Sequence, residues 1–288
     1  MAVCEKRKFS HSRRTLPAKE RWVDVHPEIL IGTSGYSYDD WRGAFYPLRL
    51  AKGKMLEYYA KEFSFSEVNS PFYHIPAVRV MEALVKKTPE GFVFAVKAHG
   101  SLTHEREAEF TGHAEKFRTV LKPLEEAGKL GAVLFQFPFS FRNSRESRDY
   151  LARLRELFPD IPAAVEFRHA DWVAEATFDL LRSLNFAYVC VDEPRLKGLV
   201  GPVAVRTAGF GYVRFHGRNA AKWWRHGEAS WERYDYLYSE EELKEWLLRI
   251  GEVAQGVTRT FVAFNNHPRG QAVQNAKMLQ EMIKRLYL

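Results

Sequence analysis

The sequence predicts one α/β domain of the TIM (β/α)8-barrel type, for three reasons. Short apolar segments alternate with longer segments of helical character, which is the pattern of parallel βα units. The alternation yields eight strands and about seven helices, and the length of 288 residues matches a single barrel. A doubly wound sheet is the alternative, but no Gly-rich G-x-G-x-x-G turn follows the first apolar segment.

Each predicted strand is a short apolar segment that ends in a turn, a proline or a polar residue. In chain order the strands cover residues 29–36, 64–69, 92–98, 130–137, 164–168, 186–192, 211–216 and 260–265. Glycines stop the first strand within Ile31-Gly32-Thr33-Ser34-Gly35-Tyr36, and Pro138 ends the fourth. This order of strands predicts a parallel barrel.

Helices are predicted between most of these strands. They cover residues 53–62, 77–87, 110–127, 145–157, 174–184, 240–253 and 271–286. Ser239, followed by three glutamates at residues 240–242, predicts an N-cap with an acidic first turn. Two prolines and two glycines lie within residues 194–202, so a weak or missing helix is expected after strand six.

Two regions are expected, a basic N-terminal extension at residues 1–27 and the barrel at residues 28–288. The extension holds much of the net charge of +7 and is expected to be a flexible tail. A basic chain is compatible with an anionic small molecule or nucleic acid as partner. No apolar segment is long enough for a membrane span, and no signal peptide is expected. The widely spaced Cys4 and Cys190 favour a reducing cytoplasm.

Polar side chains recur at the C-terminal ends of the predicted strands. Side chains alternate between the two faces of a strand, so Glu166 and Arg168 share one face while Val165 and Phe167 share the other. In a TIM barrel this end of the strands holds the active site. The side chains placed inward by the alternation are Thr33, Glu67, Asn69, Lys97, His99, Gln136, Glu166, Arg168, Asp192, Arg214, His216 and Asn265. We expect them to meet in one pocket.

Motifs along most of the chain resemble those of a known family. They are Ile31-Gly32-Thr33-Ser34-Gly35-Tyr36-Ser37 with Trp41, Glu67-Val68-Asn69-Ser70-Pro71-Phe72-Tyr73, Lys97 with Thr103-His104, Gln136-Phe137-Pro138, Val165-Glu166-Phe167-Arg168-His169 with Trp172, Tyr212-Val213-Arg214-Phe215-His216-Gly217, and Phe264-Asn265-Asn266. Over about residues 29–285 the chain resembles the YecE-like proteins, a family of unknown function. The resemblance implies a TIM-barrel fold, in agreement with the strand count, and implies no particular reaction.

The charges of the predicted pocket favour an anionic ligand. Lys97, Arg168 and Arg214 are cations suited to phosphate or carboxylate groups, which Arg can hold through two hydrogen bonds at once. The other expected ligand contacts are Glu67, Asn69, Gln136 and Asn265. The pocket is therefore predicted to bind a phosphorylated molecule or a nucleic acid.

The expected function is a hydrolase- or isomerase-like enzyme that acts on this anionic ligand. Glu166 or Asp192 is the expected general base, and His216 or His99 is the expected group that moves a proton. The alternative is a non-catalytic nucleic-acid-binding module that uses the basic extension and the Trp-rich segment 217–238. Binding that depends on salt and occurs without turnover would distinguish this module from the enzyme.

Two other interpretations of the polar ring stay open. It could be an internal ion-pair network that only fills the top of the barrel, because buried charges are tolerated when they are paired. It could also hold a divalent metal through His99, Glu166, Asp192 and His216, although the three cations of the same ring would oppose this.

Three further features have alternative explanations. Cys190 could be a nucleophile, but a core thiol is the expected role. Glu67 and Glu166 could form a glycosidase pair, but strands two and five lie far apart around a barrel. The aromatic residues of segments 36–46 and 217–238, together with Phe72 and Tyr73, could stack on bases or sugars, or they could pack on each other as a lid.

Overall fold

The computed structural model describes residues 27–106, 110–225 and 227–286 of the chain. In these residues eight parallel strands form a closed barrel, in which each strand pairs with the next and β8 pairs with β1. The strands are β1 (Glu28–Ser34), β2 (Phe65–Val68), β3 (Val93–Lys97), β4 (Leu130–Gln136), β5 (Ala163–Glu166), β6 (Phe186–Asp192), β7 (Phe210–Phe215) and β8 (Arg259–Phe264). The predicted TIM-type barrel is confirmed. Most of the predicted basic extension lies outside the described residues.

Eight α-helices occur among the residues that the structure describes, and the longer ones cover the outside of the barrel. They are α1 (Met55–Tyr59), α2 (Ser70–Tyr73), α3 (Val78–Lys86), α4 (Phe110–Glu126), α5 (Arg145–Leu157), α6 (Glu175–Ser183), α7 (Glu240–Ala254) and α8 (Gln271–Leu286). Residues 193–209 are all described and contain no helix, which confirms the missing helix after strand six. None of the described helices combines the length and the apolar character required to cross a membrane.

The N-cap of α7 is the one predicted from the sequence. The Glu242 backbone N–H donates to Ser239 Oγ at 3.3 Å, and the Ser239 backbone N–H donates to Glu242 Oε2 at 2.9 Å. This reciprocal pair satisfies two N–H groups that the first turn of a helix leaves without backbone partners.

Two helices differ from the prediction. The helix expected at 53–62 is reduced to a single 3-10 turn, Lys52–Lys54, followed by α1. No helix was predicted between strand two and residue 77, but the chain forms the short helix α2 there. Pro71 lies in the first turn of α2, where its missing N–H costs no helical hydrogen bond. As a result, Phe72 lies on a helical turn beside the end of β3.

An aromatic layer fills the barrel interior below the strand ends. Phe65 lies 5.0 Å from Phe261 between ring centroids, and Tyr212 lies 5.7 Å from Phe261. All three residues are at most 1% exposed. Charged groups above this layer are therefore shielded from water on their lower side, and their mutual attraction is stronger than at a surface.

The strand register determines which side chains share the interior. Ser34 is opposite Glu67, Gln136 is opposite Glu166, and Val191 is opposite Arg214. Paired residues of neighbouring strands point to the same side of a sheet. Arg214 points into the barrel, where it contacts Glu67 and Glu166, so the residues of these pairs all face inward. The alternate residues of each strand face the surrounding helices. Phe215 is an example, because its ring centroid lies 5.2 Å from that of Trp246 on α7.

Candidate functional site

A cavity of about 450 Å³ opens at the C-terminal ends of the strands. Its wall includes the cations Lys97, Arg168 and Arg214. Three amides and two phenols also line the cavity, namely Asn69, Gln136, Asn265, Tyr38 and Tyr234. These residues come from loops and strands on all sides of the barrel. The structure thus brings most of the predicted polar residues to one place.

Arg214 is the buried centre of the site, with only 2% of its surface exposed. Its Nε and Nη2 donate to Glu67 Oε2 and Oε1 at 2.9 and 2.6 Å. Its Nη1 donates to Glu166 Oε2 at 2.5 Å. Nη2 also reaches Ser34 Oγ at 3.2 Å, and the Tyr212 hydroxyl donates to Glu67 Oε2 at 2.8 Å. Arg214 therefore connects strands β2, β5 and β7 through charge-assisted hydrogen bonds.

Glu166 is completely buried and lies among three potential donors. Besides Arg214, its Oε1 lies 2.7 Å from Arg168 Nη2 and 3.2 Å from His216 Nε2. Burial alone would raise the pKa of Glu166, but Arg168, Arg214 and His216 together hold this pKa well below its usual range. Glu166 is therefore an ionised carboxylate throughout the physiological pH range.

Arg168 has a second carboxylate partner, Glu193, which directly follows β6. Arg168 Nη1 donates to Glu193 Oε2 at 2.8 Å, and the Val200 backbone N–H donates to Glu193 Oε1 at 3.1 Å. Burial raises the pKa of Glu193 to about 8, against the opposing effect of Arg168. At neutral pH Glu193 is therefore the protonated one of the two carboxyl groups, whereas Glu166 is ionised.

Lys97 differs from the two arginines because it forms no salt bridge with any carboxylate of the described residues. Its Nζ donates to Gln136 Oε1 at 2.8 Å and lies 4.0 Å from the centre of the Phe72 ring. Burial, together with the positive charge of Arg214, lowers the pKa of Lys97 to about 7. At neutral pH both the ammonium and the free amine are consequently populated.

His216 is fully buried beside Glu166 and Asn265. The Asn265 amide Nδ2 lies 3.1 Å from His216 Nδ1, and His216 Nε2 lies 3.2 Å from Glu166 Oε1. These partners favour the tautomer that accepts at Nδ1 and carries its hydrogen at Nε2. Burial and Arg168 lower the pKa of His216 to about 3, so the ring is neutral.

Asn69 and Gln136 complete the wall near Lys97. Gln136 is anchored, since its Nε2 donates to the Phe137 carbonyl at 2.7 Å. Asn69 Oδ1, in contrast, is buried and has no hydrogen-bond partner among the described residues. A buried acceptor without a partner is unfavourable, so this atom is well placed to receive a hydrogen from a bound molecule.

The predicted placement of Asp192 in the pocket is wrong. Asp192 is opposite Phe215 and shares its outward face. Its oxygens accept hydrogen bonds from Tyr238 Oη at 2.7 Å, Trp246 Nε1 at 2.6 Å and Arg218 Nη2 at 2.8 Å. Both faces of β6 are buried, so its residues show no polar alternation from which the inward face could be identified. Glu193 occupies the position that was expected for Asp192.

Thr33 and His99 were also placed wrongly. Thr33 Oγ1 bonds Tyr59 Oη at 2.9 Å on the helix side of β1, and Ser34 faces inward instead. Strand β3 ends at Lys97, so its alternation does not continue to His99. His99 accepts a hydrogen bond from the Ser101 backbone N–H at 3.3 Å and lines a separate surface depression beside His113.

Several residues of the site were missing from the sequence-based prediction. Tyr212 lies two residues before Arg214 on the same face, which is a signal that the sequence contained. Glu193 is adjacent to the residue that was chosen in its place. Tyr234 reaches the mouth from the end of the 3-10 helix Gly227–Tyr234, a position about which strand alternation carries no information. Phe72 was expected only as one of the aromatic residues near the mouth, and its contact with Lys97 was not predicted.

The structure bears on the alternative explanations as well. Among the described residues no three His, Cys, Asp or Glu side chains are arranged to hold a metal ion. Cys190 is fully buried, with its Sγ 3.4 Å from the Val205 carbonyl oxygen, as a core thiol would be. Glu67 and Glu166 both bind Arg214, which is a poor arrangement for a nucleophile and an acid.

The Trp-rich segment 217–238 is less basic than its sequence suggests. Trp223 is buried, whereas Trp224 and Trp231 are about half exposed, at 47% and 48%. Both Lys222 and Arg225 form ion pairs with the single carboxylate of Glu232, at 3.1 and 2.7 Å. These two cations are therefore already partly neutralised within the segment.

The chain has relatives of known sequence and structure. The family described as "Protein of unknown function DUF72" matches residues 30–287. The UPF0759 protein YunF of Bacillus subtilis is 35% identical over 269 residues, which cover 88% of this chain and 94% of that protein. A crystal structure of a DUF72 family protein from Thermotoga maritima is 40% identical and superposes with a TM-score of 0.82, covering 89% of this chain and 99% of that chain. A DUF72 family protein from Enterococcus faecalis is 28% identical, with a TM-score of 0.80, and covers 89% and 95%. The YecE-like resemblance of the sequence points to this same family.

Replacing Asp192 with Ala is expected to lower the free energy of unfolding by roughly 3 kcal/mol, because Arg218 and two buried donors lose their acceptor. Urea denaturation measures this loss. The matched control is Glu240→Ala, which removes an exposed ion pair with Lys244 and should cost about 0.5 kcal/mol or less. A loss for Asp192→Ala as small as that of the control would contradict the structural role.

His216 is expected to stay neutral from pH 8 down to pH 5, because its pKa in the folded protein is about 3. The unfolded chain takes up this proton near pH 6.5, so protonation of His216 does not change the stability above that pH and lowers it increasingly as the pH falls from 6.5 towards 3. The measurement is the pH dependence of the His216 ring signals in the NMR spectrum, assigned by their loss in His216→Gln. A titration near pH 6.5 in the folded protein would rule out the buried neutral ring.

Proposed function

The chain belongs to the DUF72 family, and we propose that it is an enzyme that acts on a small anionic molecule at the mouth of its barrel. The observation that carries the proposal is the layering of charge. Lys97, Arg168 and Arg214 line the cavity, whereas Glu67 and Glu166 lie completely buried around them. An entering molecule consequently meets N–H donors first, and these donors are held in place by the carboxylates.

The net charge of the site supports an anionic ligand. Below about pH 7 the ammonium of Lys97 adds to two guanidinium groups, and Glu193 is protonated because its pKa is about 8. Two carboxylates, Glu67 and Glu166, then face three cations, and one positive charge remains. A phosphate, sulfate or carboxylate group would neutralise it.

The size and surroundings of the cavity favour a small molecule over a nucleic acid. A cavity of about 450 Å³ is within the usual range for small-molecule sites. The loop cations that would contact a nucleic-acid backbone, Lys222 and Arg225, share Glu232. The nucleic-acid-binding module stays the second candidate, supported by the half-exposed Trp224 and Trp231, whose rings could stack on bases.

The proton-transfer group that we propose is Lys97. Glu166 is fixed as a carboxylate by two arginines, and His216 is fixed as a neutral ring, so neither exchanges a proton readily near neutral pH. Lys97 has a pKa of about 7, which is suited to both giving and accepting a proton under these conditions. Glu166 and His216 are then positioning residues that orient Arg168 and Arg214.

Sulfate is expected to bind in this cavity, with an affinity that falls as the pH rises from 6 to 9. The reason is that Lys97 and then Glu193 lose their protons, with pKa values of about 7 and 8, while the charge of sulfate stays constant. Isothermal titration calorimetry at low salt measures the affinity at each pH. Absence of binding, or an affinity that is independent of pH, would refute the anion site.

Lys97→Met is the suitable variant for the sulfate-binding measurement, whereas a substitution of Arg214 such as Arg214→Ala is not. Removing Arg214 would leave two buried carboxylates unpaired and would destabilise the fold, whereas Lys97 has no carboxylate partner among the described residues. Sulfate binding should weaken by about 1.5–3 kcal/mol in Lys97→Met, the value of a hydrogen bond to a charged group. Lys86→Met makes the same charge change at an exposed helix end and should bind sulfate like the unaltered protein.

A further inference from the structure

Lys97 combines three features that distinguish it from the other cations of the site. It lines the cavity, it forms no salt bridge with a described carboxylate, and one side of its amine faces the ring of Phe72. The amine also donates a hydrogen bond to the carbonyl oxygen of the Gln136 side chain, which fixes the direction of the amine. An amine held in this way is accessible to a molecule in the cavity and is surrounded by groups that do not require it to be charged.

The neighbouring guanidinium groups favour the uncharged form of the Lys97 amine. Arg168 and Arg214 line the same cavity and disfavour a further positive charge on Lys97. A lysine that is shielded from water beside other cations is partly an uncharged amine at neutral pH, and an uncharged amine is the nucleophilic form. An ammonium used only to attract anions would be better served by a nearby carboxylate, which would keep it charged.

We propose that Lys97 is a nucleophile that forms an imine with its ligand, which is then a small anion carrying an aldehyde or ketone group. This inference rests on the proposed anion site and names its substrate class. Arg168 and Arg214 hold the anionic group, and the carbonyl carbon lies against Lys97 Nζ. Oxo acids and phosphorylated aldehydes or ketones share this chemistry.

The step balances without an oxidant or a reductant. The lone pair of the free amine forms a bond to the carbonyl carbon, and the carbonyl oxygen takes up a proton to give a carbinolamine. Loss of the hydroxyl group as water then yields the protonated imine, so that an ammonium and a carbonyl compound become an iminium and one water. The positive charge of the iminium lies where Glu166 and Glu67 already stabilise positive charge on Lys97.

Asn69 supports the proposal independently of Lys97. Its Oδ1 is buried at the cavity wall without a partner among the described residues. The carbinolamine carries a new hydroxyl group, which is a hydrogen-bond donor that could satisfy this acceptor. Tyr234, which also lines the cavity, carries a hydroxyl group that can donate or accept a hydrogen bond as water is formed and lost.

The experiment is reductive trapping with glyoxylate, a small oxo acid, and sodium borohydride at pH 7.5. The expected result is one stable carboxymethyl group on the intact protein, located on the Lys97 peptide by mass spectrometry. Lys97→Arg keeps a cation but has no amine and should lose the label, whereas the matched Lys86→Arg should retain it. Thermal unfolding of both variants shows that the barrel is intact.

Three further measurements connect the label to the site. Glycolaldehyde, which is uncharged, should label Lys97 at least tenfold more slowly than glyoxylate if the arginines hold the anion. Sulfate in excess should slow labelling by glyoxylate. Lowering the pH from 7 to 6 should slow it by about fivefold, because the amine becomes protonated below its pKa of about 7.

The outcomes separate this inference from the proposed function. Sulfate binding without any label on Lys97 would overturn the imine and leave the anion site standing. A label on Lys97 that glycolaldehyde produces as fast as glyoxylate, without protection by sulfate, would overturn the anionic substrate class. Labelling spread over exposed lysines while the Lys97 peptide stays unmodified, or equal labelling of Lys97→Arg, would overturn the nucleophile.

Discussion

The contact between Arg214 and two buried carboxylates determines how the whole mouth of the barrel is arranged. A guanidinium with 2% exposure and carboxylates with none are stable together because Glu67 on β2 binds through both oxygens and Glu166 on β5 provides a second carboxylate. Removing one member would leave a buried charge without a partner. The three strands that carry these residues, β2, β5 and β7, are therefore linked to one another at this end of the barrel.

The remaining groups of the site follow from that contact. Glu166 has a second oxygen available, and Arg168 and His216 approach it from one strand end each. Arg168 then requires the acceptor that Glu193 provides. The carboxylates of the site contact the two arginines and the neutral imidazole. Lys97 therefore contacts the Gln136 amide and the Phe72 ring instead of a carboxylate. Burial and then the charge of Arg214 lower the pKa of Lys97, and no described carboxylate forms a salt bridge with this amine that would raise the pKa again.

The fold and half of the site could be predicted because both depend on alternation along strands. Glu67, Glu166 and Arg214 follow apolar residues at even spacing within regular strands, and the structure places them together. Asp192 was misplaced because β6 is apolar on both faces, so either parity is equally plausible from composition. His99 was misplaced because β3 ends two residues earlier. Glu193 and Phe72 lie beyond strand ends, where local turns and not alternation decide the direction of a side chain.

An ion-pair network that only fills the barrel top accounts for Arg214 and Glu67 but not for Lys97. Filling requires that each buried charge meets an opposite charge, and aliphatic side chains would fill the space at lower cost in desolvation. Lys97 meets no described carboxylate, and Asn69 presents a buried oxygen that no described donor satisfies. Both features weaken the fold, and both face the same cavity. Unfavourable polar groups that converge on one space are characteristic of a site whose missing partners belong to the ligand.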